Sequence, residues 1–136
     1  MSEKITPQMQ AFWADDPAPQ EMGVELIRAH DGRAKLRLAL EPRHLNGHRT
    51  AHGGVVHLLA DCAAGFAANS TGEQAVTQTN TITFVSPGKA GETLVATGEF
   101  LARSGRSALF DVRVTGGDGR TVAVMRAQMR YISPKK

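Results

Sequence analysis

Residues 46–69 read NGHRTAHGGVVHLLADCAAGFAAN, so a polar, glycine-bearing loop runs directly into a long apolar stretch. We predict a loop over residues 42–51 and a helix over residues 54–69 that is apolar nearly all round. Such a helix must be buried on more than one side. One carboxylate, Asp61, lies inside it, and a buried acid costs free energy unless something compensates it. The stretch therefore predicts a central core helix and a candidate site.

Two residues at this junction are candidates for chemistry on a carbonyl group. The amide of Gly53 lies at the helix N-terminus, where it has no intrahelical acceptor and the helix dipole is positive. Because glycine has no side chain, a substrate oxygen can approach this amide closely, and such an oxyanion donor is worth about 3–4 kcal/mol in acyl transfer. Asp61 is the candidate base or nucleophile, which would activate water or attack the carbonyl itself.

The spacing of Gly53 and Asp61 carries information about assembly. Eight positions on one helix correspond to a rise of about 12 Å, yet both groups must lie within roughly 3 Å of the same reacting atoms. If both serve one site, they therefore come from different chains. We predict an obligate homodimer in which two central helices run antiparallel across a twofold axis and form two composite sites.

Six strands are predicted around this helix. A strand pattern precedes the Asp31-Gly32 turn, apolar residues alternate with mostly cationic ones over residues 33–40, and four later segments are rich in Val, Thr and Ile and separated by glycine-bearing turns. The predicted strands cover Gly23–His30, residues 33–40, Ala75–Val85, Thr93–Arg103, Ala108–Thr115 and Thr121–Ile132. Because short turns connect them, we expect the last four to be successive antiparallel neighbours. The fold class is therefore α+β, with one curved antiparallel sheet of about six strands wrapped around the long central helix, and a second copy completes the cover.

The N-terminal residues 1–20 are predicted to form a helical arm on a single domain that spans residues 1–136. Thr6 and Pro7 have the features of a cap and a first helical turn, and the prolines within residues 15–19 end the helix. Apolar side chains share one face at helical spacing, namely Met9, Phe12 and Trp13. This pattern favours an arm that packs on the core over a mobile lid.

The composition is that of a globular protein, with 136 residues, 41% hydrophobic and 21% charged. The net charge of +3 suits an acidic small molecule but is too small to indicate nucleic acid, and no aromatic side chains alternate with the cations of the second strand.

The apolar stretch over residues 55–68 is shorter than the ~20 residues of a membrane span. The only cysteine, Cys62, is expected to be a small core residue. We expect a soluble, cytoplasmic protein without nucleic acid or membrane partners.

Other polar residues at the junction leave alternatives open. His52 and Asn46 either support the loop through hydrogen bonds or contact the substrate directly. His48 with His52, and His57 with Asp61, have spacings that would suit a metal ion. Because no second acid joins them, we expect no metal site.

The chain resembles the hotdog-fold acyl-CoA thioesterases in two sets of residues. The first set surrounds the loop and helix and comprises Asn46-Gly47-His48, Thr50, His52-Gly53-Gly54, Leu59-Ala60-Asp61, Ala63 and Asn69-Ser70. The second comprises Phe84, Pro87-Gly88, Gly91 and Thr93-Leu94. The resemblance runs from about Met22 to Ile132 and is strongest to the phenylacetate-degradation branch.

This resemblance implies a hotdog fold, dimers that often pair into tetramers, and hydrolysis of an acyl- or aryl-CoA thioester to free acid and CoA. It implies no metal and no separate cofactor, since coenzyme A is part of the substrate. Asp61 matches the family's catalytic carboxylate, as base or nucleophile, and Gly53 matches the amide that polarises the thioester. His52 and Asn46 match supporting residues of the loop.

The CoA phosphates are expected on surface cations near the rim of the sheet. Lys89, Arg103 and Arg106 are candidates because they flank glycine turns, although ordinary solvated charges would look the same. A non-catalytic acyl-CoA binding or sensing protein is the alternative function. A dehydratase or hydratase would need a histidine–acid pair, for which His57 and Asp61 are the available residues. The acyl group stays open among phenylacetyl, hydroxylated benzoyl and medium-chain acyl.

Overall fold

The computed structural model describes residues 4–132, which form one six-stranded antiparallel sheet and a long helix packed against it. The helices are α1 (Pro7–Ala14), α2 (Pro17–Glu21) and α3 (Gly53–Asn69), with a short 3₁₀ turn at Pro42–His44. The strands are β1 (Glu25–His30), β2 (Arg33–Ala39), β3 (Ala75–Phe84), β4 (Thr93–Ser104), β5 (Ser107–Thr115) and β6 (Thr121–Tyr131). The predicted fold class, a curved antiparallel sheet around one central helix, is confirmed.

Helix α3 lies directly on the inner face of the sheet. Leu59 and Phe66 of this helix are almost completely buried. At Gly98 of β4 the contact is so close that a Cβ atom would stand 2.8 Å from the carbonyl oxygen of Ala63. The absence of a side chain at this position therefore lets the strand and the helix backbone touch, which fixes the height of α3 above the sheet.

The N-terminal arm differs from the prediction, although its residues 1–3 lie outside the described part of the chain. The residues expected to end its helix instead start a second one, since Pro17 begins α2. Proline suits a first helical turn because the amide that it lacks has no intrahelical partner there. The rings of Phe12 and Trp13 pack edge-on against Phe66, with centroids 5.1 and 5.6 Å away. The arm therefore covers part of α3, as expected.

The prediction that the last four strands are successive neighbours is wrong for β3. The order across the sheet is β1-β2-β4-β5-β6-β3, so β3 pairs with β6 and lies at an edge. The segment after β3 is not a tight turn: the amides of Val85 and Ser86 both donate to the carbonyl of Val122, at 2.8 and 3.2 Å. These bonds hold the chain beside β6 before it crosses to β4.

Candidate functional site

The N-terminus of α3 forms the first half of the candidate site. His52 is the N-cap residue, and its Nδ1 accepts the Gly54 amide at 3.0 Å. The helix begins at Gly53, one residue before the predicted start. As the first helical amide, that of Gly53 has no intrahelical acceptor. His52 thus supports the loop–helix junction, and the amide of Gly53 is the donor that a ligand can reach.

A cavity of about 310 Å³ opens beside this amide. Its walls come from the loop before α3, from α3 itself and from the segment after β3, with lining residues Asn46, Thr50, Ala51, Gly53, Val56, Phe84, Val85, Ser86, Pro87, Gly88 and Val122. The ring of Phe84 lies against the glycine, 3.5 Å from where a Cβ of Gly53 would stand. The cavity therefore joins a largely apolar wall to one polar helix end.

Asn46 organises the loop from within. Its Oδ1 accepts the amide of His48 at 2.9 Å and both the amide and the hydroxyl of Thr50 at 3.2 Å. With the oxygen occupied, the NH₂ group of Asn46 is the part of the side chain that can donate to a ligand in the cavity.

A buried histidine that the sequence reasoning missed anchors the same loop. His44 is fully buried, and its Nδ1 accepts the Glu41 amide at 2.8 Å. Its Nε2 therefore carries the proton and donates to the carbonyl of Met22 at 2.7 Å. The backbone carbonyl of His44 in turn accepts the amide of His52 at 2.8 Å. A lone histidine in a loop gives no sequence signal for this role.

Asp61 forms the second half of the candidate site and lies apart from the cavity. It follows Gly53 by eight residues on the continuous helix α3, a rise of about 12 Å. Its Oδ1 accepts the Nδ2 group of Asn80 at 2.9 Å, and the hydroxyl of Thr77 lies 3.4 Å away. Asp61, which the apolar helix predicts to be buried, is half-buried in the single chain. The structure thus brings Gly53, His52 and Asn46 together and separates Asp61 from them.

A β-bulge in β3 orients both Thr77 and Asn80 towards Asp61. Thr77 pairs with Met129, but Thr79 pairs with Gln128, so one extra residue, Gln78, is inserted. Thr77 and Asn80, three positions apart, therefore both face α3, whereas strict alternation would place them on opposite faces of the sheet. Strand periodicity alone could not have identified this pair.

The surroundings of Asp61 do not favour a nucleophilic cysteine. Cys62 is buried, as predicted, and its desolvation, with the charges of Asp16 and Asp61, raises the pKa of its thiol to about 12. Burial, and then the Asp61 carboxylate, also raise the pKa of Asp16 at the start of α2. A thiol in this environment stays protonated at neutral pH.

The three candidate phosphate-binding cations lie at two ends of the molecule. Lys89 is exposed and pairs with Thr50 beside the cavity. Arg103 lies at the turn between β4 and β5, where it donates to both carboxylate oxygens of Glu73, at 2.6 and 3.1 Å, and stacks on Tyr131 at 3.9 Å. Arg106 follows in the same turn. Of these three candidates, Lys89 is therefore the one whose backbone lies beside the cavity.

An ion-pair cluster holds the wall of the cavity. Arg120 donates to Glu92 through Nη2 at 2.6 Å and to the carbonyl of Pro87 at 2.6 Å. Glu92 also accepts the amides of Lys89 at 2.6 Å and Gly117 at 2.9 Å. These donors, with Arg120 the strongest, lower the pKa of Glu92 to about 2. The segment that carries the cavity wall is thus fixed to the β5–β6 turn.

We expect Glu92→Gln to destabilise the protein at neutral pH by about 1.5–3 kcal/mol, the worth of hydrogen bonds to a charged group. The ordinary pKa of 4.5 applies in the unfolded chain, so the carboxylate stabilises the fold above pH 4.5. This contribution is lost as the pH falls from 4.5 towards 2, and the difference from wild type should vanish over that window. Urea unfolding at a series of pH values measures it.

Glu25→Gln is the matched control for this measurement. Glu25 also pairs with an arginine, Arg37, at 2.6 Å, but its side chain is 60% exposed, whereas that of Glu92 is 14% exposed. A surface pair contributes about 0–1 kcal/mol. Equal losses of stability in the two variants, or a loss in Glu92→Gln that does not change with pH, would contradict the stabilising role of the Glu92 carboxylate.

Within residues 4–132, no group of three or more His, Cys, Asp or Glu side chains is arranged to hold a metal ion. No helix in the same part of the chain is long and apolar enough to cross a membrane.

The chain is similar to known proteins in both sequence and fold. A family model described as the thioesterase superfamily matches residues 48–123. The acyl-coenzyme A thioesterase PaaI of Escherichia coli is 33% identical over 132 residues, which cover 97% of this chain and 94% of the relative. The solved structure of the E. coli PaaI protein from the phenylacetic acid degradation operon superposes with a TM-score of 0.90 and 31% identity, covering 94% and 93% of the two chains. A Streptococcus mutans protein bound to acetyl CoA gives a TM-score of 0.78 at 27% identity, covering 83% and 91%.

Proposed function

Since this chain belongs to the thioesterase superfamily, with the hotdog fold of its PaaI neighbours, we propose that it hydrolyses acyl-CoA thioesters to free acid and CoA. The observation that carries the proposal is the amide of Gly53, which begins α3 beside a largely apolar cavity. A thioester has the matching parts, because its carbonyl oxygen accepts a hydrogen bond and its acyl chain is apolar.

The reaction begins with a thioester whose carbonyl oxygen accepts a hydrogen bond from the Gly53 amide. This donor stabilises the negative charge that develops on the oxygen as the carbonyl carbon becomes tetrahedral. Asp61 either takes a proton from water, whose oxygen attacks the carbon, or attacks the carbon itself to form an anhydride that water then cleaves. The C–S bond breaks, the CoA sulfur leaves and takes up a proton, and the acid is released. Label from oxygen-18 water in the Asp61 carboxylate after a single turnover would mark the anhydride route.

A homodimer supplies the two groups to one site. A stripe of α3 is exposed or half-buried in the single chain and consists of Gly54, His57, Leu58, Asp61 and Gly65. It adjoins the edge strand β3, whose apolar residues Val76 and Phe84 are 47% and 51% exposed. An unpaired edge strand beside a partly apolar helix face favours pairing with a second copy. A further pairing of dimers into tetramers, and a cytoplasmic location, stay predictions.

Lys89 is the proposed contact for a CoA phosphate. Because an exposed ion pair contributes about 0.2–1 kcal/mol, Lys89→Ala should raise KM for an acyl-CoA about 1.5- to 5-fold and leave kcat unchanged. The KM of the wild type should also rise with salt more steeply than that of the variant. Arg33→Ala, on the distant β1–β2 hairpin, is the control. A variant with the KM and the salt dependence of the wild type would contradict the contact; Arg103 and Arg106 stay predicted contacts for the assembled dimer.

A hydrolysis screen tests the proposed function. Phenylacetyl-CoA, a hydroxylated benzoyl-CoA and medium-chain acyl-CoAs would be incubated with the protein, and the released thiol would be measured with a chromogenic disulfide. Turnover of at least one class is expected. Tight binding of acyl-CoA without turnover of any class would instead indicate a binding or sensing protein on the same fold.

A further inference from the structure

Asn80 on β3 has an unusual combination of contacts. Its Nδ2 group donates to Asp61 Oδ1 at 2.9 Å and lies 3.0 Å from His57 Nε2. Its Oδ1 is shut off from solvent and has no hydrogen-bond partner among the described residues 4–132. A buried acceptor without a partner costs free energy, so such a group in a folded protein calls for an explanation.

The reversed orientation of the amide would be worse for an ionised Asp61. It would place the oxygen of Asn80 against the Asp61 oxygen, so two acceptors would meet at 2.9 Å. The carboxylate would then lose its donor and gain a repulsive neighbour. The unpaired Oδ1 is therefore the consequence of directing the NH₂ group outward, at Asp61 and His57.

The same nitrogen of Asn80 also lies next to His57. Because the NH₂ group of an amide only donates, Nε2 of His57 is the acceptor in this contact. Asp61 and His57 lie four positions apart on α3 and are bridged by one nitrogen atom of Asn80. They do not contact each other as a histidine–acid pair would.

We propose that Asn80 is a positioning residue for the reaction: its amide holds the Asp61 carboxylate in a fixed orientation and links it to His57. The proposal rests on the proposed function, since it assigns Asn80 a role through Asp61. It also accounts for the bulge at Gln78, which aims Thr77 and Asn80 at the same carboxylate.

Asn80→Leu separates this role from a structural one because the two predict opposite changes in stability. Leucine has a similar volume and no unpaired buried acceptor, while Asp61 and His57 are half-buried and can bind water instead. We expect kcat to fall about 10- to 100-fold, the size of effect produced by a misplaced reacting group, with KM within twofold of wild type. We expect Tm to be equal to or above that of the wild type.

Two further variants sharpen the measurement. Thr79→Leu makes a similar change at the neighbouring residue, which faces the other side of β3, and should keep the kcat of the wild type. Asn80→Asp keeps the shape of the side chain but replaces the donor with an acceptor, so it should not restore kcat. Melting curves and steady-state kinetics on the best substrate from the screen would be compared for all variants.

The outcomes distinguish this proposal from the thioesterase assignment. A wild-type kcat in Asn80→Leu, or a lower Tm accompanied by a lower kcat, would overturn the positioning role alone, provided that the wild type hydrolyses acyl-CoA. A full kcat in Asn80→Asp would overturn it as well. A wild type without turnover of any acyl-CoA would overturn the proposed function, and the role of Asn80 with it.

Discussion

Asp61→Asn is expected to lower kcat for acyl-CoA hydrolysis by about 10²- to 10⁴-fold, the range that a general base contributes. The neutral amide can neither take the proton of an attacking water nor attack the carbonyl carbon. Substrate binding does not require the charge, so KM should change little. Asparagine matches aspartate in shape, and the half-buried side chain stays on the same face of α3. Steady-state kinetics with the best substrate, alongside melting curves, measure the effect.

Asp111→Asn is a suitable control for this substitution. Asp111 lies on β5, where its carboxylate pairs with Arg126 at 2.7 Å, and it contacts neither Asp61 nor the cavity. Its variant should keep the kcat of the wild type. If Asp61→Asn turned over acyl-CoA at the wild-type rate, another group would have to be the base.

Gly53→Pro is expected to lower kcat by about 10²- to 10³-fold, the cost of losing one oxyanion donor. Proline removes the amide proton but suits this position, because Gly53 is the first helical residue. His52 before it has φ −61° and ψ 135°, a conformation that residues before proline favour. The helix should therefore form normally in the variant, which far-UV circular dichroism and the melting temperature would verify.

Gly53→Ala provides the comparison because it keeps the amide. Its added Cβ would meet the Phe84 ring at 3.5 Å, an ordinary contact distance. We expect this variant to be far more active than Gly53→Pro. Equal losses in the two variants would assign the effect to the bulk of the side chain and would contradict a role for the Gly53 amide.

Much of the fold could be predicted because its signals are local. The all-apolar helix over residues 54–69 and the alternation in residues 33–40 each reflect burial of the same segment that carries the pattern. The place of β3 could not be predicted in this way. The length of a connection does not show whether the chain turns back or crosses the sheet; here hydrogen bonds to Val122 hold the chain beside β6 before it crosses to β4.

The candidate site was predicted only in part for a similar reason. Gly53 and Asp61 could be predicted because a glycine and an acidic residue stand out at the start of, and inside, an apolar helix. The partners of Asp61 were not, because Thr77 and Asn80 share a face only through the bulge at Gln78. The role of His44 could not be predicted either, because its hydrogen bonds to Glu41 and Met22 form only in the folded chain.

Mixing two inactive variants tests the central claim, that Asp61 of one chain completes the site at Gly53 of its partner. Asp61→Asn and Gly53→Pro chains with different affinity tags would be unfolded together and refolded, and dimers that carry both tags would be isolated and quantified. In a mixed dimer, intact Gly53 of one chain faces intact Asp61 of the other, so one of its two sites is complete. Isolated mixed dimers should therefore have about half of the wild-type activity; if chains pair at random, half of the dimers are mixed, and the unseparated mixture should recover about a quarter. No recovery in dimers shown to carry both tags would contradict the cross-chain site.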